Sequence, residues 1–405
     1  MRRLILIFLC IAAAPLLAAD DVLLPFSEAE VAQILSHGPW PPEQQRDPSN
    51  RVSGQAAAID LGQRLFFDTR LSRNNDRACA TCHVPERSFT DGQKRAVGID
   101  VGDRNTPTLM NPRLQRWYGH DGAADSLWSQ SLLPMLNPRE LGSEPQKIAE
   151  VVRRDADFAC RYEKAFGAVP PADDEAVMVN MGKALAAFQE TLVSERTAFD
   201  DFRDALARGD RAAAGQYPQA AQRGLKIFIG KGACITCHVG PNFTHGEFAD
   251  VGTPFFLAGG GVDPGRHGGI KRLLASKFNL LSRYNDDTSG AAATSTAHVS
   301  LEHRNFGEFK VPTLRNLKFS APYMHDGGMA TLQDVVRHYS ELKEERLHAD
   351  GTNILKPLHL SAREEADMVA FLESLTNYTV KWRTRSPHEG PACRPGVSAA
   401  AVPAN

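Results

Sequence analysis

The sequence predicts a mainly α-helical protein that contains two tandem copies of one structural unit. The segment TPTLMNPRLQRWYGHDG, which begins at Thr106, matches VPTLRNLKFSAPYMHDG, which begins at Val311. Each residue of the first segment lies 205 positions before its counterpart, as His120 does before His325. Runs that alternate apolar with polar residues are few, so the pattern favours helices over strands.

The amino-terminal end is typical of a secretory signal. Arg2 and Arg3 precede an apolar run, Leu4–Leu17, and the two residues that follow are alanines. The run is too short for a confident membrane span, and no other long apolar stretch follows it. We therefore expect residues 1–19 to be a removed signal peptide and the mature protein to be exported to the periplasm, with no membrane span.

Composition limits the classes of partner. The chain has 405 residues, of which 42% are hydrophobic and 23% are charged, as in ordinary globular domains. Its net charge of −2 gives no sign of a basic surface, so neither nucleic acid nor an anionic membrane is an expected partner.

The duplication predicts two domains, residues 20–207 and 208–385, followed by a flexible tail, residues 386–405. The histidines of the two CxxCH motifs are 155 positions apart rather than 205, so the second copy contains about 50 extra residues. These fall within Pro241–Asn305, whose Gly, Asp, Ser and Thr content is typical of loops. Between the copies, Asp174–Arg208 is predicted to form one helix that ends at Gly209, with its apolar stripe in the core.

The motifs CATCH and CITCH carry the clearest chemistry in the sequence. In a CxxCH motif the two thiols attach to a haem, and the adjacent histidine ligates its iron. A zinc site would require all four cysteines to converge, and a redox dithiol would not require the histidine twice. The sequence therefore predicts two covalently bound haem c groups. Their attaching and ligating residues are Cys79, Cys82, His83, Cys234, Cys237 and His238.

Two further cysteines of the mature chain, Cys160 and Cys393, lie outside these motifs. An exported protein can form a disulfide between them. Sequence does not show whether they are close in space, so a pair of free thiols is an equal alternative.

The two copies differ at the position expected to supply a sixth iron ligand. A small cytochrome c domain takes this ligand from a helix downstream of its motif. In the second copy TLQDVVRHY offers His338 or Tyr339, whereas SLWSQSLLPM in the first copy has Pro134 opposite Tyr339. Proline cannot ligate iron, so we expect haem 1 to be open and haem 2 to be closed. An open haem can bind peroxide or oxygen, and a closed haem stores or relays electrons.

On these motifs the sequence resembles the bacterial dihaem cytochrome c peroxidases, among them the MauG enzymes. The shared features are the paired CxxCH, NTPTLMN, the HDG turn, FKVPTLRN and APYMHDG. The resemblance implies two tandem class-I cytochrome c-like domains, with a reactive haem 1 and an electron-transfer haem 2. It also implies Tyr339 as the sixth ligand of haem 2, because the MauG tyrosine follows a calcium-binding proline at the spacing that separates Tyr339 from Pro322.

The same resemblance implies a set of residues on the distal side of haem 1. Gln130 would orient the bound oxygen species, Pro134 would leave the iron open, and Glu140 would act as general acid–base in peroxide cleavage. Classical peroxidases often have a histidine that must leave this site on activation, and Ile99 occupies that position here. The site should therefore be open without reductive activation.

The resemblance further implies one calcium ion between the haems, held by Asn105, Ser320 and Pro322. The family also has a tryptophan between the haems, where this sequence has His120. Imidazole is harder to oxidise than indole, so Trp117, three residues earlier, is an alternative relay to His120. Trp128 lies eight residues later, and the route of electron transfer between the haems stays open.

Three functions remain in consideration. The first is a MauG-like enzyme that uses hydrogen peroxide, or oxygen plus electrons, to oxidise a tryptophan or tyrosine of an exported partner protein by long-range electron transfer. The leader SHGPWPPEQQRDPSNRVSG, the NDD stretch and the VVRHY ending resemble the MauG-like MbnH type, which oxidises a partner tryptophan. The second is a peroxidase that detoxifies hydrogen peroxide with electrons from a small cytochrome or cupredoxin. The third, a non-enzymatic electron carrier, is disfavoured by Pro134, whereas Tyr339 and Ile99 favour the first.

Overall fold

The computed structural model describes residues 23–253, 256–257, 260–342, 355–377 and 392–393. The predicted signal peptide and nearly all of the predicted tail lie outside these residues. None of the helices in the described part of the chain is long and apolar enough to cross a membrane.

Within the described residues the fold is mainly α-helical, as the sequence predicts. The helices are α1 Glu28–Leu35, α2 Ala56–Phe67, α3 Cys79–Cys82, α4 Leu127–Leu136, α5 Pro145–Arg154, α6 Ala156–Phe166, α7 Asp174–Gln189, α8 Ala198–Ala207, α9 Arg211–Gly215, α10 Gln219–Ile229, α11 Arg266–Ala275, α12 Thr294–Ala297, α13 Leu332–Glu341 and α14 Ala362–Ser374. Two short antiparallel strands, β1 Phe248–Ala249 and β2 Phe309–Lys310, complete the regular structure, together with several short 3-10 turns.

Each copy is organised around a close crossing of two helices. In the first copy α2 packs against α7, and in the second α10 packs against α14. A Cβ at Gly62 would overlap the carbonyl oxygen of Ala184, and a Cβ at Gly224 would overlap that of Asp367. The same device, a glycine that lets two backbones touch, therefore sets the helix packing in both copies.

The two copies meet in a pseudo-symmetric seam. The backbone N–H of Asn105 donates to the carbonyl of His325, and that of Lys310 donates to the carbonyl of His120, both at 2.7 Å. Asn105 and Lys310 occupy equivalent positions in the two copies, as do His120 and His325. The pairing is therefore reciprocal, like the isologous contact of a two-fold dimer.

The described residues form two hydrophobic cores. One contains α2, α4, α5, α6 and α7, and the other contains α10, α13 and α14. Ile34 of α1 and Phe199 and Phe202 of α8 belong to the second core. The domain boundary at residues 207 and 208 stays a prediction. Helices α1 and α8 precede that boundary in the sequence but pack into the second core.

The prediction of a single helix over Asp174–Arg208 is wrong. This segment forms two helices, α7 and α8, with a break between them. Within the break the carbonyl of Leu192 accepts the N–H of Asn111 at 2.7 Å, and Ser194 N–H donates to the side-chain oxygen of Asn111 at 2.9 Å. These backbone groups are bonded outside the helix, and a residue distant in sequence supplies the partners.

The insertion in the second copy is also more ordered than its composition predicts. It contains β1, α11 and α12, and Phe278 and Leu280 fill part of the first core. Leu280 N–H and the Thr296 hydroxyl both donate to Asp125, at 2.8 and 2.7 Å. The insertion therefore crosses to the other copy and covers it.

The two cysteines whose pairing the sequence does not determine form a disulfide. Cys160 of α6 and Cys393 form a disulfide that spans 233 positions. It ties the far end of the chain to the first copy.

Candidate active site

The first CxxCH motif places its three functional side chains on one short helix. The two cysteines, Cys79 and Cys82, begin and end α3, and His83 follows directly. The Nδ1–H of His83 donates to the carbonyl of Phe89 at 2.9 Å. This bond fixes the tautomer and leaves Nε2 free as an iron ligand. Burial lowers the pKa of His83, which keeps the imidazole neutral as metal ligation requires.

A cavity opens beside this motif. It encloses about 640 Å³ that protein atoms do not fill, including solvent-open space at its mouth. Its lining residues are Phe66, Arg77, Ala78, Cys79, Thr81, Cys82, His83, Gly98, Leu109, Gln130, Ser131, Pro134, Glu140, Leu141, Leu185 and Gln189. The structure thus brings all three predicted distal residues, Gln130, Pro134 and Glu140, into one cavity with the haem-binding motif.

Helix α4 and the turn after it position those three residues. The Ser126 side chain caps the amino-terminal end of α4 by accepting the N–H of Ser129. Gln130 and Pro134 lie four residues apart on this helix, so they face the same side. Pro134 carries no polar side-chain group, and its carbonyl accepts the N–H of Leu141 at 3.1 Å, which folds the Glu140 turn back over the helix.

Glu140 lies in an environment that favours its protonated form. Burial raises the pKa of its carboxyl, and the hydrogen bond from Asn137 and the charge of Arg139 oppose that shift only in part. The Asn137 amide donates to Glu140 Oε1 at 2.6 Å, which fixes the carboxyl in the cavity wall. A carboxyl with a raised pKa is a stronger base than an ordinary glutamate, which suits it to accept and return a proton.

The cavity fits a haem by the chemistry of its walls. The side-chain oxygen of Gln130 is buried and has no hydrogen-bond partner among the described residues. The Nε of Arg77 is likewise buried without a partner in that part of the chain, and a haem carboxylate would satisfy it. Apolar walls from Leu109 and Leu185 suit the haem ring.

Ile99 packs away from the cavity. Its Cδ1 lies against Gly142, and its backbone N–H donates to the Glu140 carbonyl at 3.0 Å. The adjacent Gly98 lines the cavity, and a Cβ there would lie 2.5 Å from the Arg139 carbonyl oxygen. Arg139 also donates to the carbonyl of Val101 and forms an ion pair with Asp103 at 2.7 Å. Hydrogen bonds, an ion pair and close packing therefore hold the segment around Ile99 against the turn that contains Glu140.

The second CxxCH motif has matching geometry. Cys234 begins a 3-10 turn, and the Nδ1–H of His238 donates to the carbonyl of Phe243 at 2.9 Å. Burial lowers the pKa of His238 to about 4, so this imidazole is also neutral. Tyr339 of α13 is buried beside this motif, and burial, then the nearby Cys234 and Cys237, raise the pKa of its phenol.

The alternative ligand, His338, points elsewhere. Its Nε2–H donates to the carbonyl of Val251 at 2.8 Å, on the loop after β1. Of the two neighbouring side chains on α13, Tyr339 is therefore the one that faces the second motif.

The predicted calcium residues lie along the seam. The side-chain amide of Asn105 donates to the Gln93 carbonyl at 2.7 Å, and no described residue donates to its Oδ1. That oxygen suits a hard cation. Ser320 and Pro322 lie just before His325, whose carbonyl bonds to Asn105. The described residues contain no cluster of three or more His, Cys, Asp or Glu side chains, and a site of amide and carbonyl oxygens would not need one.

The two predicted relay residues also lie at the seam. The Nε2–H of His120 donates to the carbonyl of Asn105 at 2.9 Å. Burial, then the charge of Arg104, lowers the pKa of His120 to about 4. Trp117 is 4% exposed and donates its indole N–H to Glu247 at 3.2 Å. Burial, then the nearby His120, lowers the pKa of His325 to about 3, so the equivalent histidines of the two copies are close and neutral.

Several residues of the site were not found from the sequence. Arg77, Gln189 and Leu185 line the haem 1 cavity, and Glu247 and Arg266 contact Trp117. Arg77 lies two residues before Cys79 of the first motif, and this proximity could have indicated it. The others come from distant segments and carry no local signal.

Comparisons with known proteins agree with this geometry. Residues 56–208 match the family model described as di-haem cytochrome c peroxidase. The chain is 34% identical over 319 residues to the methylamine utilization protein MauG of Methylorubrum extorquens, covering 78% of this chain and 77% of that protein. It is 29% identical over 335 residues to a cytochrome-c peroxidase of Denitromonas iodatirespirans, covering 80% of this chain and 83% of that protein.

A solved structure also resembles this chain. It is described as a MauG-like protein associated with microbial copper homeostasis. The two superimpose with a TM-score of 0.63 at 27% identity, over 86% of this chain and 99% of that one.

Proposed function

The chain belongs to the family of dihaem cytochrome c peroxidases and MauG proteins and is an oxidoreductase; on that premise we propose that it acts as a MauG-like enzyme. Hydrogen peroxide, or oxygen plus electrons, reacts at an open haem on His83. The oxidising equivalents reach a tryptophan or tyrosine of an exported partner protein by long-range electron transfer. The reaction takes place in the periplasm.

The asymmetry between the two haem sites carries this proposal. Gln130, Pro134 and Glu140 line one cavity with His83, and none of the three is a strong iron ligand. Tyr339 lies beside the second motif, at the position that matches Pro134. This arrangement supports a site for a small oxidant at haem 1. It also supports a six-coordinate haem 2 that shares the oxidising equivalents formed at haem 1.

Cys79, Cys82 and His83 would hold a haem, whose iron would supply the redox chemistry for peroxide reduction. The protein residues position the oxidant and move protons. Glu140 would accept a proton from hydrogen peroxide and return it to the oxygen that leaves as water. Gln130 would orient the oxidant through its side-chain amide, and the apolar walls would restrict water.

The identity of Ile99 favours a MauG-like role over classical peroxidase action. Isoleucine has no donor atom, so it cannot block haem 1 by ligation as a histidine would, and we expect the site to need no reductive opening. The alternative is a peroxidase that removes peroxide with electrons from a small redox protein. The relatives include proteins named for each role.

Spectroscopy of the diferric holoprotein tests this proposal. Optical and EPR spectra should show one high-spin and one low-spin haem. One equivalent of hydrogen peroxide should then produce a long-lived near-infrared band without prior reduction. Two low-spin haems, or a reaction only after one-electron reduction by a cytochrome donor, would instead support the peroxidase role.

Calcium is part of the same proposal. Asn105 Oδ1 and the carbonyls of Ser320 and Pro322 would hold one ion at the seam between the haem domains. Elemental analysis of the purified protein should find one calcium per chain, and Asn105→Ala should lower that content. An unchanged calcium content in the variant would place the ion elsewhere.

A further inference from the structure

Trp117, at the seam between the two copies, has two charged neighbours. Its indole N–H donates to the carboxylate of Glu247 at 3.2 Å. The guanidinium carbon of Arg266 lies 4.4 Å from the ring centroid. The indole therefore has an anion at its N–H edge and a cation on its face.

Short segments connect Trp117 and Glu247 to the two haem sites. Gly119, two residues later, lies close to the Gln130 side-chain oxygen in the haem 1 cavity. Glu247 belongs to the loop that follows His238, and the N–H of His245 in this loop donates to the Cys237 carbonyl at 2.9 Å. The pair therefore joins a segment next to one haem site to a segment next to the other.

Arg266 disfavours oxidation of Trp117 by electron loss alone. It is held between two rings, 4.0 Å from the centroid of Phe248, and donates to the Gly122 carbonyl at 2.8 Å. Burial lowers its pKa only to about 10, so the guanidinium stays charged at neutral pH. A positive charge stacked on the ring stabilises the neutral indole and destabilises an indole radical cation.

Glu247 allows Trp117 to be oxidised without forming the radical cation that Arg266 destabilises. Its carboxylate can take the indole proton when the electron leaves, so no positive charge develops under Arg266. The side chain is 49% exposed and lies 3.4 Å from Arg116, so the proton has a path to water.

The other tryptophans in the described chain lack this combination. Trp40 has Arg315 at 3.5 Å from its ring, but its N–H donates to the Ser194 carbonyl, which cannot take a proton. Trp128 donates to the Ser49 hydroxyl at 3.1 Å. Among the described tryptophans, only Trp117 joins a cation on its face to a carboxylate at its N–H.

We propose that Trp117 and Glu247 form a proton-coupled oxidation site that relays oxidising equivalents at the seam. Trp117 loses one electron to the haem pair that hydrogen peroxide has oxidised, and its Nε1–H bond breaks as the proton passes to Glu247. The products are a neutral tryptophanyl radical and a protonated carboxyl. An electron from the substrate and the proton held by Glu247 then restore the indole and the carboxylate. The source of the oxidising equivalents rests on the proposed function.

Freeze-quench EPR of the holoprotein after one equivalent of hydrogen peroxide tests this site. The wild-type protein should form a neutral tryptophanyl radical, identified with ring-deuterated tryptophan, and Trp117→Phe should abolish it. Glu247→Gln keeps a hydrogen-bond acceptor but not a base, so it should slow radical formation by roughly 10- to 100-fold. The wild-type radical should also form more slowly in D₂O.

Glu302→Gln is the matched control, because Glu302 is an exposed carboxylate that pairs with Arg304 and contacts no tryptophan in the described chain. It should leave the rate unchanged. A radical that persists in Trp117→Phe, or an unchanged rate in Glu247→Gln, would overturn the inference.

A second arm separates this inference from the proposed function. If peroxide leaves the haem spectra unchanged, the proposed function fails. A photochemical one-electron oxidant added to the same holoprotein then tests the pair directly. Dependence of the Trp117 radical on Glu247 would support the inference, and independence would overturn it.

Discussion

At the scale of single residues, the difference between Pro134 and Tyr339 separates the two haem sites. The positions match in the duplication, and each lies on a helix that faces its own CxxCH motif. A proline offers the iron no donor atom, whereas a phenolate is a strong anionic ligand. We therefore expect this one difference within the repeated unit to give an open site at His83 and a closed site at His238.

We expect Tyr339→Phe to remove the sixth ligand of haem 2, because phenylalanine keeps the ring and lacks the oxygen. Haem 2 should change from low spin to high spin in the diferric EPR spectrum. Tyr339→Met should restore six-coordination and raise the reduction potential, since methionine ligation favours the ferrous state. His338→Gln is the control and should leave haem 2 low spin, as His338 bonds to Val251. An unchanged spectrum in Tyr339→Phe would exclude Tyr339 as the ligand.

We expect Glu140→Gln to slow the reaction with hydrogen peroxide by about 10²- to 10⁴-fold, because the amide cannot accept the proton. In the wild-type protein only the deprotonated carboxylate acts as base. Burial raises the pKa of Glu140, so the rate constant should rise with pH at values above the ordinary glutamic acid range. Stopped-flow kinetics across pH would measure both effects. Glu144→Gln, at an exposed neighbouring carboxylate, should change neither; retention of the pH dependence in Glu140→Gln would assign it to another group.

At the scale of structural elements, the segment around Gly98 and the turn that holds Glu140 act as one unit. Two backbone hydrogen bonds, from Ile99 and Asp100 to the Glu140 and Arg139 carbonyls, join them. Gly98 lets the two backbones touch, since a Cβ would lie 2.6 Å from the Cα of Glu140. The position of the proton-transfer group therefore depends on a neighbouring loop.

We expect Gly98→Ala to displace the Glu140 turn and slow the peroxide reaction roughly 10- to 100-fold. The effect is steric, because the Gly98 backbone does not have the positive φ that favours glycine. Gly102→Ala, in the same loop, would meet the Ala96 carbonyl oxygen only at 3.2 Å and should react nearly normally. Equal rate constants for the two variants would show that the contact with Glu140 is unimportant.

At the scale of the whole molecule, the insertion of the second copy fastens the two copies together. Lys183 of α7 is fully buried, and its ammonium donates to Asp286 at 2.6 Å and to the Tyr284 carbonyl at 2.7 Å. Asp286 also pairs with the exposed Arg51 at 3.4 Å. A buried charge of the first copy is thus neutralised by a residue of the second.

We expect Asp286→Asn to lower the free energy of unfolding by on the order of 3 kcal/mol, because it leaves a buried ammonium unpaired. Arg51→Gln removes only the exposed partner of the same carboxylate and should cost less than about 1 kcal/mol. Urea denaturation of both variants would measure the difference. A similar loss of unfolding free energy in the two variants would show that the buried Lys183–Asp286 pair contributes no more than the exposed Arg51–Asp286 pair.

Local patterns were sufficient for much of this protein. The helical class, the duplication, the two haem motifs and the family follow from short motifs and their spacing, because covalent haem attachment and iron ligation require particular residues at short range. The segments Gln130–Glu140 and Tyr339 could also be located from the repeat. Their convergence on the two motifs agrees with those expectations.

The tertiary structure decided the features that depend on residues far apart in sequence. Asn111 bonds to the backbone between α7 and α8, Cys160 pairs with Cys393, and the insertion covers part of the first core. The neighbours of Trp117, Glu247 and Arg266, come from segments more than a hundred positions away. A linear sequence determines which chemical groups are present and their local spacing. Folding determines which distant groups come within hydrogen-bonding distance, and therefore which indole has a proton acceptor.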